Sequence, residues 1–369
     1  MSETGRAAVF NGPGKPFEIR EFPVPEPGDR DVVVKVEHTN VCGSDLHMWK
    51  GDTDLTKLGL TYGMVLGHEM VGRVVRKGRK VRSDSAGKAL ADGDRVAFTY
   101  YVPCGRCRTC LKGMLHACMS SLASLLRPVD QAPHFVGGFA EYYFVKGRQK
   151  IFKVPDGLSA ESAAGANCAL SQVIHGFDVV GLSLGDNVVV QGAGGLGIMA
   201  CAVARELGAG RVIAIDAVPA RLELARSFGA DEVIDINADP DPRARVRKVM
   251  TLTDGEGADV VVEVAGLPEV VPEGIRMLAR AGRYLEIGNI TPRATYKADP
   301  SLLVGFNRSI HGVSLYPQDV LRRALSFLDR TRDRYPYERL ASHTFSLDEV
   351  GKAFEESAAG RTTRAAVVP

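Results

Sequence analysis

NVVVQGAGGLG (residues 187–197) carries an apolar strand-like run directly into a glycine-rich turn and the start of a helical pattern. Gly192, Gly194 and Gly197 have the G-x-G-x-x-G spacing. In that spacing the glycines permit a tight turn, let the backbone approach a pyrophosphate, and allow the following helix to pack closely. The motif alone is weakly specific, so the neighbouring sequence decides what it means.

The first turn of the following helix contains Gly195 and Leu196, at the end where free N–H groups and the helix dipole favour phosphate. A second strand-like segment, RVIAID, ends at Asp216, close to the separation of about 20 residues expected for a ribose-binding acid. Such an acid accepts hydrogen bonds from ribose hydroxyls and repels a 2′-phosphate. We therefore expect NAD as the cofactor. NADP is the less favoured alternative. It stays open because Arg221, which we interpret as a further cofactor contact, lies nearby.

Strand-like and helical segments alternate from about residue 158 onward, with one helix expected over residues 275–281. The near-continuous Val/Ile runs predict a doubly wound parallel sheet, the Rossmann arrangement, covered on both faces. A glycine turn in an unrelated α/β protein is the alternative, but strand, glycines, helix and acid occur here in the expected order.

The first 150 residues instead contain short β-segments bounded by Gly, Pro or Asp, which predict a β-rich barrel or sandwich. Residues 83–91 resemble a surface insertion between two strands. After residue 309 we expect a strand in HGVSLY, a helix over residues 318–330 and a final strand, RAAVVP, that rejoins the first domain. The predicted domains are residues 1–170, 171–312 and 313–369.

The composition indicates a globular protein that handles small molecules. The chain has 369 residues, of which 45% are hydrophobic, and its formal net charge of +2 argues against nucleic acid or a membrane surface as the partner. The N-terminus lacks a secretory pattern, and no apolar run approaches the roughly 18 residues of a membrane span. We expect a cytoplasmic location and a small-molecule substrate.

Four of the seven cysteines, in CGRCRTCLKGMLHAC, have the spacing C-x2-C-x2-C-x7-C. Cys104, Cys107, Cys110 and Cys118 supply enough thiolates for a closed tetrahedral zinc site. An iron-sulfur cluster is less compatible, because the bacterial ferredoxin run has a shorter last interval and a proline after its final cysteine. With all four positions filled by protein, this zinc is structural, and catalysis needs another site.

The remaining cysteines are Cys42, Cys168 and Cys201. Cys201 lies inside the first cofactor-domain helix and is interpreted as a core residue. Cys42 begins CGSDLH, and His68 stands in GHE before Glu69, while Cys168 lies in GANCALSQ. Two thiolates and an imidazole leave one tetrahedral position open, as catalytic zinc requires.

CGSDLH, GHE, the four-cysteine lobe, GAGGLG and Asp216 occur in an order that resembles the zinc-dependent medium-chain alcohol and polyol dehydrogenases over essentially the whole chain. The resemblance implies a β-rich, GroES-like catalytic domain interrupted by a Rossmann domain, two zinc ions per chain, and a homodimer or homotetramer formed by edge strands near HGVSLY. A zinc-free reductase of activated double bonds in the same superfamily and a non-catalytic nucleotide-sensing protein are the alternatives.

The resemblance also implies residue roles. Cys42, His68 and Cys168 would be zinc ligands, although some relatives use the Glu of GHE, here Glu69, in place of the last cysteine. The other implied roles are proton transfer by Ser44 and His47, orientation of His68 by Asp45, a substrate pocket lined by Trp49 and Tyr100, and a pyrophosphate contact by Arg364. For Trp49 and Tyr100 the competing interpretation is core packing. For Arg364 it is a solvated surface position. The expected reaction is hydride transfer between NAD and a secondary alcohol, polyol or amino alcohol, or the matching carbonyl compound.

Overall fold

The computed structural model describes residues 3–369, apart from the side chain of residue 58. The chain divides into two units: the described residues up to Ser171 together with Leu315–Pro369, and the intervening Gln172–Ser314. The first unit is rich in antiparallel strands, and the second contains a parallel sheet with helices. The predicted α/β class, a β-rich part interrupted by a parallel-sheet part, is confirmed.

The first unit forms around a valine-rich strand, Val32–Asn40, because β-branched side chains pack well on a pleated and mostly buried surface. Helices in this part are short and lie in the connections. In chain order the elements are β1 (Thr4–Phe10), β2 (Glu18–Pro23), β3 (Val32–Asn40), α1 (Gly43–Lys50), β4 (Met64–Val65), β5 (Glu69–Lys77), β6 (Arg95–Phe98), α2 (Arg108–Leu111), β7 (Tyr142–Val145), β8 (Ile151–Lys153) and α3 (Ala160–Ala163), followed by a π-helical turn at Ala166–Leu170.

The second unit alternates strands and helices. Its elements are α4 (Ser171–Val180), β9 (Asn187–Gln191), α5 (Gly195–Glu206), β10 (Arg211–Asp216), α6 (Pro219–Ser227), β11 (Glu232–Asp235), α7 (Pro242–Leu252), β12 (Ala258–Glu263), α8 (Val271–Met277), β13 (Leu278–Glu286), α9 (Ser301–Val304) and β14 (Ser309–Gly312).

The strands of this unit form one parallel sheet in the order β11-β10-β9-β12-β13-β14. The order reverses between β9 and β12, and ligands of such sheets bind at the carboxyl ends of the strands beside that reversal. The glycine turn that follows β9 therefore stands at the expected crevice.

The remaining elements return to the first unit. They are α10 (Val320–Thr331), β15 (His343–Ser346), α11 (Val350–Ala358) and β16 (Ala365–Val368). Strand β16 pairs with β3 through Ala366 and Asn40, which completes a sheet in the order β15-β16-β3-β5-β6-β8 with β7 also on β3. Phe354 of α11 packs in the core of this unit against Phe139. Short 3-10 turns lie at Leu55–Leu58, Leu115–Ala117, Pro268–Val270, Tyr337–Arg339 and Leu347–Glu349.

The structure differs from the sequence-based elements in two places. The helix expected over residues 275–281 ends at Met277, because Leu278 is already paired with Ala258 in the sheet. The strand expected in HGVSLY is confined to Ser309–Gly312. Residues 83–91 lie between β5 and β6, closed by a bridge between Ser83 and Ala89. Within residues 3–369, no helix has the length and apolarity needed to cross a membrane.

Candidate functional site

The turn between β9 and α5 has the geometry that its glycines predict. Gly192 has φ of +99°, in the left-handed region that favours glycine. A Cβ atom on Gly197 would lie 1.8 Å from the carbonyl oxygen of Gly192, so only glycine lets the helix approach the turn this closely. Gly194 is the N-cap of α5, and the first turn of α5 contains Gly195 and Leu196, both partly exposed.

Asp216, at the end of β10, is already bound to this turn. Its Oδ2 accepts from the N–H of Ala193 at 2.6 Å, and its Oδ1 accepts from the N–H of Val218 at 2.9 Å. These bonds orient the carboxylate at the carboxyl edge of the sheet beside the glycines. Arg221 lies in the first turn of α6, two residues after Pro219.

The four cysteines of the lobe form one cluster. Their sulfur atoms all lie within 4.8 Å of one another, with 4.0 Å between Cys104 and Cys110 and 3.8 Å between Cys107 and Cys118. Tetrahedral zinc with Zn–S bonds of about 2.3 Å separates its sulfur ligands by about 3.8 Å. Backbone N–H groups donate to the sulfur atoms of Cys104 and Cys118 at 3.3 Å. The donor set therefore fits a structural zinc ion.

A second cluster consists of Cys42, His68 and Cys168, all buried, with their donor atoms within 4.8 Å of one another. Cys42 is the N-cap of α1, His68 immediately precedes β5, and Cys168 lies in the π-helical turn. Two sulfur donors and one ring nitrogen match zinc, and a tetrahedral ion held by three side chains keeps one position for substrate or water.

The three side chains of this cluster strongly shift one another's pKa values. The hydrogen bond from Cys168 lowers the pKa of the Cys42 thiol well below its ordinary value, and the same bond together with burial raises the pKa of Cys168. Burial opposes protonation of His68, but the charges of Asp45 and Cys42 outweigh it and raise the imidazole pKa. A metal ion would bind the thiolate of Cys42 and would displace the proton from the ring nitrogen of His68.

Asp45 links the two segments that carry Cys42 and His68. Its Oδ2 accepts from the N–H of Cys42 at 3.0 Å, and its Oδ1 accepts from the N–H of Gly67 at 3.2 Å. The same Oδ1 lies 3.3 Å from Nδ1 of His68, an ion-pair distance without hydrogen-bond geometry. On the other side of the ring, Nε2 lies 3.3 Å from the hydroxyl of Ser44.

Tyr100 also lies at the cluster. Its ring centre is 4.8 Å from that of His68, and its hydroxyl donates to the sulfur of Cys168 at 4.0 Å. Burial, followed by the charge of Cys168, raises the pKa of Tyr100 well above its ordinary value, so the phenol remains a neutral donor. The structure thus brings Tyr100 to the predicted metal site.

Glu69 is fully buried behind His68, and Arg364 supplies its countercharge. Nη1 of Arg364 and Nδ2 of Asn40, the latter at 3.3 Å, both donate to Oε2 of Glu69. Oε1 of Glu69 is buried without a hydrogen-bond partner. Burial raises the pKa of Glu69 to about 7. The expectation for Arg364 was a pyrophosphate contact, but its guanidinium is turned inward to Glu69, because a buried carboxylate requires a cation nearby.

His47 lies on the more exposed side of α1, where its Nδ1 is 3.0 Å from Oδ2 of Asp52. Trp49 was expected beside the substrate, but its ring packs 5.9 Å from Phe354 in a surface groove that Lys15 also lines. Two helical residues rotate the side-chain direction by about 200°, so Trp49 leaves α1 on the side opposite His47. Trp49 therefore packs against the core of the first unit.

Sequence reasoning missed two residues that touch these sites. Asn40 bonds to Glu69 because the two residues are direct partners across β3 and β5. Asp52 bonds to His47 five residues earlier, through the turn that ends α1. The sequence signal for Asp52 was present in VCGSDLHMWKGD, but nothing in a single sequence shows the cross-strand pairing of Asn40.

Comparison with known proteins agrees with this architecture. Residues 28–156 match the family of the alcohol dehydrogenase GroES-like domain, and residues 195–330 match the zinc-binding dehydrogenase family. The chain is 35% identical to the 5-exo-hydroxycamphor dehydrogenase of Pseudomonas putida, with 96% of each chain covered. It is 31% identical to the L-threonine 3-dehydrogenase of Aeromonas salmonicida, with 93% of each covered.

A solved structure from Sinorhizobium meliloti, assigned as a zinc-binding dehydrogenase and bound to NADP, has a TM-score of 0.85 at 27% identity and covers 100% of both chains. The relatives are alcohol-type dehydrogenases, and the chain is accordingly an oxidoreductase that acts on CH–OH donors. The resemblance inferred from the sequence motifs is confirmed, and the chain belongs to the zinc-dependent medium-chain dehydrogenase family.

Proposed function

We propose that this protein is an NAD-dependent zinc alcohol dehydrogenase that transfers a hydride between the nicotinamide and a secondary alcohol, polyol or amino alcohol, or the matching carbonyl compound. The observation that carries the proposal is the buried cluster of Cys42, His68 and Cys168, whose donor atoms lie within 4.8 Å of one another. The relatives from Pseudomonas and Aeromonas are named for substrates whose reacting hydroxyl is secondary, which supports that substrate class.

Zinc bound by this cluster would polarise the oxygen of the alcohol or carbonyl group. We assign a relay role to the hydroxyl of Ser44, which lies 3.3 Å from Nε2 of His68: it would accept the proton that the substrate hydroxyl loses and pass its own to the cofactor ribose. We assign the next position in proton transfer to His47, which is only partly buried and is held by Asp52. Asp45 and Tyr100 would fix the orientations of His68 and Cys168.

NAD remains the proposed cofactor, because Asp216 presents a carboxylate at the end of β10 where a 2′-phosphate would be repelled. The NADP-bound relative and the position of Arg221 make NADP the alternative to be tested beside it. We also propose a homodimer or homotetramer that uses the outer edge of β14. We propose a cytoplasmic location as well, because none of the seven cysteines, all within the described residues, is in a disulfide.

The test has two readouts. Metal analysis is expected to find about two zinc ions per chain, falling to about one in Cys42→Ser and about one in Cys107→Ser, while Cys201→Ser, a buried thiol of α5, retains both. Reduction of NAD and NADP is then followed with a panel of secondary alcohols, polyols and amino alcohols, with and without a chelator.

Turnover that requires zinc supports the proposal. Zinc in the cysteine lobe alone, with reduction of activated double bonds, would instead assign the protein to the zinc-free reductases. Cofactor binding without turnover on any substrate would support a nucleotide-sensing role.

A further inference from the structure

Two glutamates that the proposed reaction does not use meet at the carboxyl edge of the parallel sheet. Glu263 ends β12 and Glu286 ends β13, and the two are register partners on adjacent strands. Glu263 is completely buried. Like charges directly opposite each other in a sheet are destabilising, and a buried carboxylate without a cation is more so.

Hydrogen bonds hold the pair as one unit. Nδ2 of Asn289 donates to Oε2 of Glu263 at 3.1 Å and to Oε1 of Glu286 at 3.2 Å, and the N–H of Asn289 also donates to Glu286 at 3.1 Å. Glu263 is buried and Glu286 is partly buried. Two carboxyl groups held by the same amide are accommodated in such a site when they share a proton. Burial, followed by the hydrogen bond and charge of Glu286, raises the pKa of Glu263 to about 8.

The pair is joined to the cofactor turn through one short loop. Oε1 of Glu263 accepts from the N–H of Gly266 at 2.7 Å, which fixes the loop that follows β12. A Cβ atom on Gly192 of the G-x-G-x-x-G turn would lie 2.8 Å from the nitrogen of Ala265 in that loop. The N–H of Val264 donates to the carbonyl of Gln191 at 3.0 Å. A shift of the loop would therefore disturb the backbone on which the pyrophosphate is expected to lie.

The other charged and titratable groups near the pair leave it without a cation of its own. Tyr284 of β13 is neutral, since burial raises its pKa far above the ordinary value, and its hydroxyl donates to Gln191 of β9. Arg245 of α7 is committed to Glu273 of α8 through two bonds of 2.7 Å. Tyr296 acts electrostatically on Tyr284. His311 of β14 is in register with Leu285, so it projects from the other face of the sheet.

We propose that Glu263 and Glu286 form a proton-sharing pair that holds the loop after β12 against the cofactor turn, so that loss of the shared proton weakens dinucleotide binding. The pair acts through the loop, and both residues are positioning residues for the cofactor. The inference rests on the proposed function only in taking the glycine turn as a dinucleotide site.

The first test needs no cofactor. Because the raised pKa belongs to the folded protein, the stabilising contribution is complete below the ordinary glutamate pKa of 4.5 and is lost as the pH rises through about 8. The Tm of the wild type is therefore expected to fall across this range. Glu263→Gln imitates the protonated carboxyl and is expected to flatten the profile, whereas Glu256→Gln, an exposed glutamate of the same unit, is expected to leave it unchanged.

The second test measures the Kd of NADH and of NADPH by fluorescence, since the reduced nicotinamide is uncharged and does not itself attract the carboxylates. For the wild type we expect the Kd to rise about fivefold between pH 7 and pH 9, within the tenfold per pH unit that one proton allows. Glu263→Gln and Glu286→Gln each leave only one ionisable carboxyl, so there is no shared proton to lose. Both variants are therefore expected to abolish the rise of the Kd with pH.

If the Kd changes with pH in the same way in the wild type and in both variants, the coupling between the glutamate pair and dinucleotide binding is overturned. The proposed function would remain intact. Failure of the wild type to bind either reduced dinucleotide would overturn both. A wild-type Tm profile that Glu263→Gln does not alter would show that the pair does not share a proton in the folded protein, and would also overturn the proposal.

Discussion

Oδ1 of Asp45 lies 3.3 Å from Nδ1 of His68, and the same carboxylate accepts the N–H groups of Cys42 and Gly67. One acid therefore lies against the imidazole and holds both segments that carry the proposed zinc ligands. Replacing it changes the charge felt by His68 and also removes a hydrogen-bond acceptor from the start of α1.

Asp45→Asn is expected to weaken zinc binding at the second cluster by about 10- to 100-fold, the usual effect of losing a group that orients a metal-bound histidine. Competition with a coloured chelator measures this affinity directly. Asp54→Asn is the control, because Asp54 also accepts a backbone N–H near a helix start, but its bonds are to Thr56 and Lys57 of the next turn. Equal zinc affinity in Asp45→Asn and the wild type would contradict the role.

Cys168 and Glu69 compete for the position of third zinc ligand. Oε2 of Glu69 already receives Arg364 and Asn40, whereas Cys168 has its sulfur among the other donors. We therefore expect Cys168→Ala to lose the second zinc and Glu69→Gln to retain it. Because Glu69→Gln leaves Arg364 buried without its partner, it is expected to be less stable by about 3 kcal/mol. Metal analysis on the folded fraction separates the two effects, and loss of zinc from Glu69→Gln with retention in Cys168→Ala would reverse the assignment.

Asp216 is expected to determine the choice of dinucleotide. Asp216→Ser removes the negative charge that opposes a 2′-phosphate, so the ratio of kcat/KM for NAD to that for NADP should fall at least about tenfold. Asp259→Asn is a matched control, because Asp259 also accepts a backbone N–H, that of Asn187, but lies at the opposite end of the strands. An unchanged ratio in Asp216→Ser would remove Asp216 from the cofactor site.

His47 and Asp52 form the exposed end of the proposed proton path. His47→Ala is expected to lower kcat by about a hundredfold, a typical contribution of a positioned proton-transfer group. Added imidazole should restore a large part of the activity. Asp52→Asn, which leaves the ring but loosens its orientation, should lower kcat less and respond less to imidazole. If added imidazole restores no activity to His47→Ala, the ring of His47 has only a structural role.

Trp49 is expected to affect stability and not substrate binding. Its ring packs on Phe354 in the core of the first unit, so Trp49→Ala should reduce the free energy of unfolding by about 2 kcal/mol, less than for a fully buried aromatic residue. Denaturant titration measures this loss. A change in KM for the alcohol that exceeds the change in stability would return Trp49 to the substrate pocket.

The sequence was most informative where a feature is local. The strand-glycine-helix run from Asn187, the cysteine spacing from Cys104 and the Val-rich segment that became β3 all express short-range rules of turn geometry, metal coordination and strand packing. The end of α8 at Met277 was mispredicted because helix and strand preferences are similar there, and the pairing of Leu278 with Ala258 decided the outcome.

Contacts between distant segments were much harder to predict. The inward turn of Arg364 depends on a carboxylate 295 residues earlier. The pairing of Glu263 with Glu286 depends on the register of two strands separated by a helix. The packing of Trp49 against Phe354 was hard to predict for a different reason: the motif gave its position in the chain but not the side of α1 on which it lies.

The placement of β16 beside β3 bears on how the protein is made. A ribosome synthesises Cys42, His68 and Cys168 well before it reaches Arg364, and the 143-residue span Gln172–Ser314, a separate unit, emerges in between. Until β16 arrives, the carboxyl of Glu69 lacks the cation that accompanies it in the finished sheet. The nascent metal-binding unit is therefore expected to remain immature until the cofactor unit has been translated.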